Sequence, residues 1–252
     1  MAAAEDLLAW YAAGHRDLPW RRTRDPYAIL VSEVMLQQTQ VARVVERYRA
    51  WLERWPTPEA LAAASRAEVL RAWVGLGYNR RALRLWEACR VVAEDGWPED
   101  LRTLPGIGPY TAAAVGSFAF GRQDIAVDTN VRRVLERFGG ELGPPAGQAA
   151  AFNQAAMELG ALVCTARAAR CGACPLAPGC ASRGRVVIAP RPAVAGERFE
   201  DSNRWVRGRV VASLAAGGGL PDGIAPERVE RAVEGLLQDG VIVRDGPGLS
   251  LG

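Results

Sequence analysis

The chain has no lysine: all 31 of its basic residues are arginine. No side-chain amine is therefore available to form a Schiff base with a carbonyl. A single histidine, His15, rules out any mechanism built on several imidazoles, and beside a turn it reads as a surface or structural residue. No apolar run reaches membrane-spanning length, and the N-terminus lacks the basic-then-apolar pattern of a secretion signal. The cytosol is the expected compartment. Internal repeats and low-complexity blocks are also missing. What remains is an ordinary globular composition, with 49% apolar residues and a net charge of +3 over 252 residues. That length is ample for a buried core with one or two compact domains and a small appendage. A GC-rich genome accounts for most of the arginine bias, and arginine brings planar, bidentate recognition of phosphate.

Read in order, the pattern predicts an amphipathic helix over residues 4–14, then the polar crossing His15-Arg16-Asp17-Leu18-Pro19-Trp20-Arg21-Arg22. Trp20 suits either a core anchor or a base-stacking surface. Asp25-Pro26 makes a strong helix start. Within that helix Glu33 interrupts the run ILVSEVML. On an outer face it would be plain surface; buried, its pKa would rise toward that of a useful general acid. The cluster Gln37-Gln38-Thr39-Gln40 offers amides for base edges or a duplex wedge, or a cap for the next helix through Thr39. Helices are expected over 41–55, after the Ser65/Glu68 capping box through Trp73, and over 79–94 with Cys89 buried inside. The turn Gly75-Leu76-Gly77-Tyr78 carries an aromatic that either stacks on a base or packs on the turn.

The stretch LPGIGPYTAAAVGSFAFGRQDIAVDTNVRRV, residues 104–134, organises the rest. Gly106 and Gly108 permit a tight turn and close backbone approach, and Pro109 suits a first helical position. Such a turn presents bare amides at a helix start, which bind a nucleic-acid phosphate irrespective of base sequence. Asp128 reads as a helix N-cap, and a cap can also serve as a catalytic carboxylate. Downstream, Cys164, Cys171, Cys174 and Cys180 are spaced C-x6-C-x2-C-x5-C. Four thiolates so close suit tetrahedral zinc or a [4Fe-4S] cluster, and the spacing alone does not separate the two. Arg167, Arg170 and Arg183 make that loop basic. After a connector, residues 204–252 read as helix, helix, strand, strand, a winged-helix-like tail.

LPGIGPYTAAAV followed by VDTNVRRV resembles the signature of the helix-hairpin-helix DNA glycosylase superfamily that includes endonuclease III and the MutY-like adenine glycosylases. SEVMLQQTQV, RDLPWR and the 6-2-5 cysteine spacing are similar to MutY segments as well, so the resemblance covers about the first three quarters of the chain. It implies an all-α, two-lobed fold around a groove. The implied segments are 1–21 packing with the cluster domain, a helical barrel over 22–138, a cluster domain over 139–183, a linker over 184–203 and the tail over 204–252. It also implies a monomeric, monofunctional glycosylase that hydrolyses the N-glycosidic bond of a flipped-out adenine in mispaired duplex DNA, opposite 8-oxoguanine or guanine. In that scheme Glu33 is the acid, Asp128 the carboxylate facing the sugar, Tyr110 a positioning residue, and the four cysteines hold [4Fe-4S]. DNA contacts fall on Gly106, Gly108, Gln37, Gln38, Tyr78 and Asn130, and the base pocket on Arg16, Trp20, Arg21, Leu36 and Glu158. Two features depart from the pattern. Asn79 stands where a second aromatic is usual, and about seventy residues follow Cys180, too few for the large 8-oxoguanine-reading domain. A thymine, uracil or hypoxanthine mismatch glycosylase is therefore the alternative, and a non-catalytic cluster-bearing regulator is the rival from another class.

Overall fold

The computed structural model describes residues 2–186, 198–246 and 248–252. Its elements are helices α1 (Ala2–Gly14), α2 (Pro26–Leu36), α3 (Val41–Arg54), α4 (Pro58–Ala62), α5 (Arg66–Trp73), α6 (Arg80–Asp95), α7 (Pro109–Phe120), α8 (Thr129–Phe138), α9 (Ala149–Leu162), α10 (Asn203–Ala215) and α11 (Pro226–Gln238). A single hairpin of β1 (Ile242–Asp245) and β2 (Gly248–Leu251) follows them. The two strands pair antiparallel with Ile242 opposite Leu251. Among the described residues the fold is all-α apart from this hairpin, as expected.

The helix starts follow the local chemistry. Asp25 accepts from the N–H groups of Tyr27 and Ala28 at 3.1 and 3.2 Å. Ser65 and Glu68 close a full capping box on α5. One expectation fails: Thr39 does not cap α3. Gln40 occupies the cap without a side-chain bond, and the Thr39 hydroxyl turns back to donate to the Gln37 carbonyl at 3.3 Å.

By packing, the chain divides into two units that interleave in sequence: residues 1–33, 100–102 and 107–192, and residues 34–99, 103–106 and 193–252. The first is built on α1, α8 and α9, where Leu7, Tyr11, Val131, Val134, Phe152 and Leu159 share one core. In the second, Leu70 of α5 and Leu83 of α6 share a core with Val206, Val210, Leu236, Val241, Ile242 and Leu251 of the tail. These units cut the chain differently from the consecutive segments laid out above, and the division passes through α2 between Glu33 and Val34. The reason is the apolar stripe of α8, at Val131, Val134 and Phe138, which is buried with α1 and α9. The tail, likewise, is a structural part of its unit. Most of the expected linker, 187–197, lies outside the described residues.

Because Leu236 is fully buried in the core that joins α11 to α5 and α6, Leu236→Ala is expected to lower the unfolding free energy by about 2–5 kcal/mol. Urea denaturation measures this, and a loss below about 0.5 kcal/mol would show that the tail does not help hold its unit together.

Candidate active site

Glu33 lies on α2 and is 6% exposed, among Ile29, Leu30, Val34 and Met35, which are all buried. The run ILVSEVM, residues 29–35, thus goes inside, glutamate included. Tyr110, the second residue of α7, donates its hydroxyl to Glu33 Oε2 at 2.8 Å. Burial pushes the Glu33 carboxyl up to about 7; the Tyr110 hydrogen bond opposes this and the charge on Asp128 adds to it. Burial, with Glu33 beside it, also holds the Tyr110 phenol well above its ordinary range. Two carboxyl groups that sense each other and one neutral donor therefore share this part of the first unit.

Asp128 is the N-cap of α8: Oδ1 accepts from Val131 N–H at 2.6 Å and Oδ2 from the Asn130 amide at 2.9 Å. Asn130 Oδ1 accepts from Arg133 Nη2 at 2.8 Å. Arg133 also donates to the carbonyls of Gly160, at 2.6 Å, and of Cys164, at 2.8 Å. An unbroken set of hydrogen bonds thus runs from the Asp128 carboxylate to the backbone of the first cysteine in the loop. A Cβ on Gly160 would lie 2.7 Å from Asn130 Cβ and 3.0 Å from the Asn130 carbonyl oxygen, so the close approach of α9 to α8 requires glycine. Arg133 was not singled out from the sequence, although its i, i+3 spacing from Asn130 on one helix face was a usable signal.

The hairpin glycines differ from one another. Gly106 has φ +75, and a side chain there would meet Arg84 Cβ at 2.6 Å. Gly108 has an ordinary φ of −87 and open space where a Cβ would be. Its lack of a side chain instead leaves the start of α7 bare, and that start has Pro109 at its head and no side-chain cap. This is the arrangement an incoming phosphate needs.

Of the residues assigned to a base pocket, the fold gathers three. Glu158, fully buried on α9, accepts from Arg16 N, Nε and Nη2 at 3.0, 2.9 and 2.7 Å and from Arg21 Nη2 at 2.8 Å. Burial pushes its carboxyl up, but the hydrogen bonds from Arg16 and Arg21 outweigh that and hold it at about 2. Trp20 is buried at 8% exposure and Leu36 is half-buried at the end of α2. In the second unit, Gln38 and Tyr78 are the two non-glycine residues with positive φ among those described, at +54 and +49, and both are exposed. Neither residue type favours that region, and such strain gathers at functional turns.

Cys164, Cys171, Cys174 and Cys180 all carry free thiols and line one open cleft, together with Arg137, Arg170 and Arg183. Arg137 Nη1 lies 3.4 Å from Cys164 Sγ. Among the described residues no three such side chains converge as they would on a single metal ion.

A buried acid and a capping carboxylate beside a glycine hairpin are the features that define a class, and the chain belongs to it: residues 31–156 match the HhH-GPD superfamily of base excision DNA repair proteins. Within that family, the adenine DNA glycosylases of Mycobacterium tuberculosis and Mycolicibacterium smegmatis are each 44% identical to it, over 95% and 96% of this chain and 90% and 93% of their own lengths. The human adenine DNA glycosylase is also 44% identical, over 71% of this chain and 39% of its own length. Among solved structures, a thermostable thymine-DNA glycosylase aligns with a TM-score of 0.66 at 31% identity, over 73% of this chain and 95% of that one. A trapped endonuclease III–DNA covalent intermediate aligns with a TM-score of 0.61 at 25% identity, over 72% of this chain and 94% of that one.

Gly160→Ala is expected to cost about 1–3 kcal/mol by driving α9 off Asn130. Gly208→Ala, in α10 with nothing within 4 Å of the added carbon, is expected to stabilise by about 0.5–1 kcal/mol. Thermal melts of the two variants side by side check both signs.

Proposed function

We infer that the protein is an adenine DNA glycosylase that hydrolyses the N-glycosidic bond of a mispaired adenine in duplex DNA. The observation that carries this reading is the buried Glu33, held neutral up to about pH 7 beside Asp128 and Tyr110. Adenine leaves readily only when its ring is protonated, and a carboxylic acid poised near neutrality is the group for that task. The target nucleotide leaves the stack, and the hairpin at Gly106 and Gly108 grips its strand through phosphate. Tyr110 orients Glu33 Oε2, and the proton passes from Glu33 to a ring nitrogen of adenine as the glycosidic bond lengthens. Asp128, fixed by Val131 and Asn130, faces the developing positive charge on the sugar, and water completes the substitution. The ion-pair set of Glu158, Arg16 and Arg21 gives the base pocket a rigid polar wall, with Trp20 as an apolar part. Gln37, Gln38 and Tyr78 are DNA-contact residues in this reading.

The four cysteines would hold a [4Fe-4S] cluster, as the resemblance implies. Four thiols that line one cleft, no three of them converging on a single point, suit a polynuclear group better than one ion bound at about 2.3 Å. The cluster would supply a cross-link that fixes the loop, while Arg137, Arg170 and Arg183 give the loop its positive face. Without lysine, strand cleavage follows only added alkali, and no adduct is trapped by borohydride through a side-chain amine. The work takes place in whichever compartment holds the DNA.

The test is single-turnover base release from duplexes pairing adenine, thymine, uracil and hypoxanthine with guanine and 8-oxoguanine, read after alkali. Adenine release strongest opposite 8-oxoguanine is expected; release of thymine or uracil alone would overturn the adenine assignment. The rate should fall about tenfold per pH unit above about 7, as Glu33 loses its proton. Glu33→Gln should abolish adenine release and also stabilise the fold in alkali. The folded-state pKa lies above the ordinary 4.5, so Glu33 contributes stability that is fully present below about 4.5 and lost as the pH rises through about 7. Glutamine never ionises, and at pH 8 the variant should be the more stable by on the order of 3 kcal/mol. A variant that still releases adenine, or one that melts earlier than the parent at pH 8, contradicts this role.

A further inference from the structure

Two turns of the second unit are joined by one side chain. Arg81 Nη1 donates to the carbonyls of Val34, Met35 and Gln37 at 2.6, 3.2 and 2.7 Å. Its Nη2 donates to Thr39 Oγ1, Leu76 O and Gly77 O at 3.3, 3.1 and 3.0 Å. The turn holding Gln38 and the turn holding Tyr78, the two strained positions, are thereby fixed to each other. From the C-terminal tail, Arg204 reaches the same place. Its guanidinium lies 4.2 Å from the centre of the Tyr78 ring, and Nη1 donates to the Tyr78 hydroxyl at 3.1 Å. Arg81 lies 5.7 Å from that ring, so a guanidinium approaches Tyr78 from each of two residues. Phe199, 56% exposed, lies 5.9 Å from Arg204.

This arrangement is short of negative charge. Among the described residues neither Arg81 nor Arg204 forms an ion pair with a carboxylate. Burial, and next the charge of Arg204, depress the Arg81 guanidinium to about 10. Arg81 is committed to the oxygens of the two turns, whereas Arg204 is exposed, its guanidinium 4.2 Å from the centre of the exposed Tyr78 ring and 5.9 Å from that of the exposed Phe199 ring. An anion at Arg204 relieves the repulsion and meets a planar donor fork beside the Tyr78 ring.

We propose that Arg204, supplied by the C-terminal tail, is a phosphate-binding residue of the DNA interface, and that Tyr78 and Phe199 hold its guanidinium in place. The proposal rests on the glycosylase reading above and extends it to a segment that shares no local motif with the catalytic stretch. The tail then acts directly on DNA, and Arg204 ties Tyr78 to the duplex strand that the Gln38 turn approaches.

The experiment measures the affinity of the full chain for a duplex carrying a non-hydrolysable adenine analogue opposite 8-oxoguanine, over about 50–200 mM KCl. Arg204→Ala should weaken binding and make the slope of log Kd against log salt shallower by about 0.9, one phosphate contact. Arg204→Lys, which keeps the charge, should recover the slope, and thermal melts should confirm that both variants fold. Arg209→Ala, an exposed arginine of the same helix that stacks on Trp205 rather than Tyr78, serves as the control for general loss of charge. An unchanged slope in Arg204→Ala overturns the proposal, as does an equal loss in Arg209→Ala or a slope in Arg204→Lys no better than in Arg204→Ala. A parent protein that releases no base from any duplex and binds DNA without salt dependence overturns the glycosylase reading as well; a parent that releases base and binds DNA in a salt-dependent way, with an indifferent Arg204, overturns only this inference.

Discussion

The 2.6 Å hydrogen bond from Val131 N–H to Asp128 fixes a helix start and the carboxylate proposed to face the sugar with the same atoms. A helix N-terminus favours negative charge, so the cap of α8 is a place that suits a carboxylate. The requirement is geometric, and much of the first unit serves it. Asn130 holds the second oxygen, Arg133 holds Asn130, and Gly160 lets α9 approach closely enough for Arg133 to reach its carbonyl. Arg133 continues to the Cys164 carbonyl, so the cysteine loop and the carboxylate are parts of one hydrogen-bonded assembly. A change in how that loop is held would be felt at Asp128 without any contact between them.

The lack of lysine acquires a structural meaning here. Arg81 reaches six oxygens across two turns, Arg133 four across α8, α9 and the loop, and Arg16 closes a fork on Glu158. An ammonium has three donors around one nitrogen and cannot span such separations. Genome composition explains why arginine is abundant; it does not explain why these arginines act as multi-point ties between backbone segments.

How much was legible follows from the range of each interaction. Asp128, Glu33 and the cysteines carry local signals, namely a cap before an apolar helix, a carboxylate inside an apolar run and a fixed spacing. Burial of Glu33 needed the structure, because periodicity leaves an inner and an outer face equally open. Gly106 and Gly108 look alike in LPGIGP, yet only Gly106 needs a positive φ. The division into units was not legible, since the stripe of α8 states that it is buried and not against which helices. Arg204 meets Tyr78 across 126 positions of sequence, beyond any local pattern.

The short tail raised the alternative of a pyrimidine mismatch enzyme, and the relatives bear on it. Mycobacterial adenine DNA glycosylases are matched over 90% and 93% of their lengths, which leaves a tenth or less of each for anything more. A short chain is therefore compatible with adenine as the leaving base. The chemistry points the same way. Uracil and thymine are better leaving groups than adenine and depend less on an acid, so a carboxyl buried at 6% exposure and kept neutral to about pH 7 would be a costly ornament in an enzyme that removed only those bases. Burial of Glu33 destabilises the folded chain at alkaline pH, and a fold retains such a cost where the reaction needs the proton.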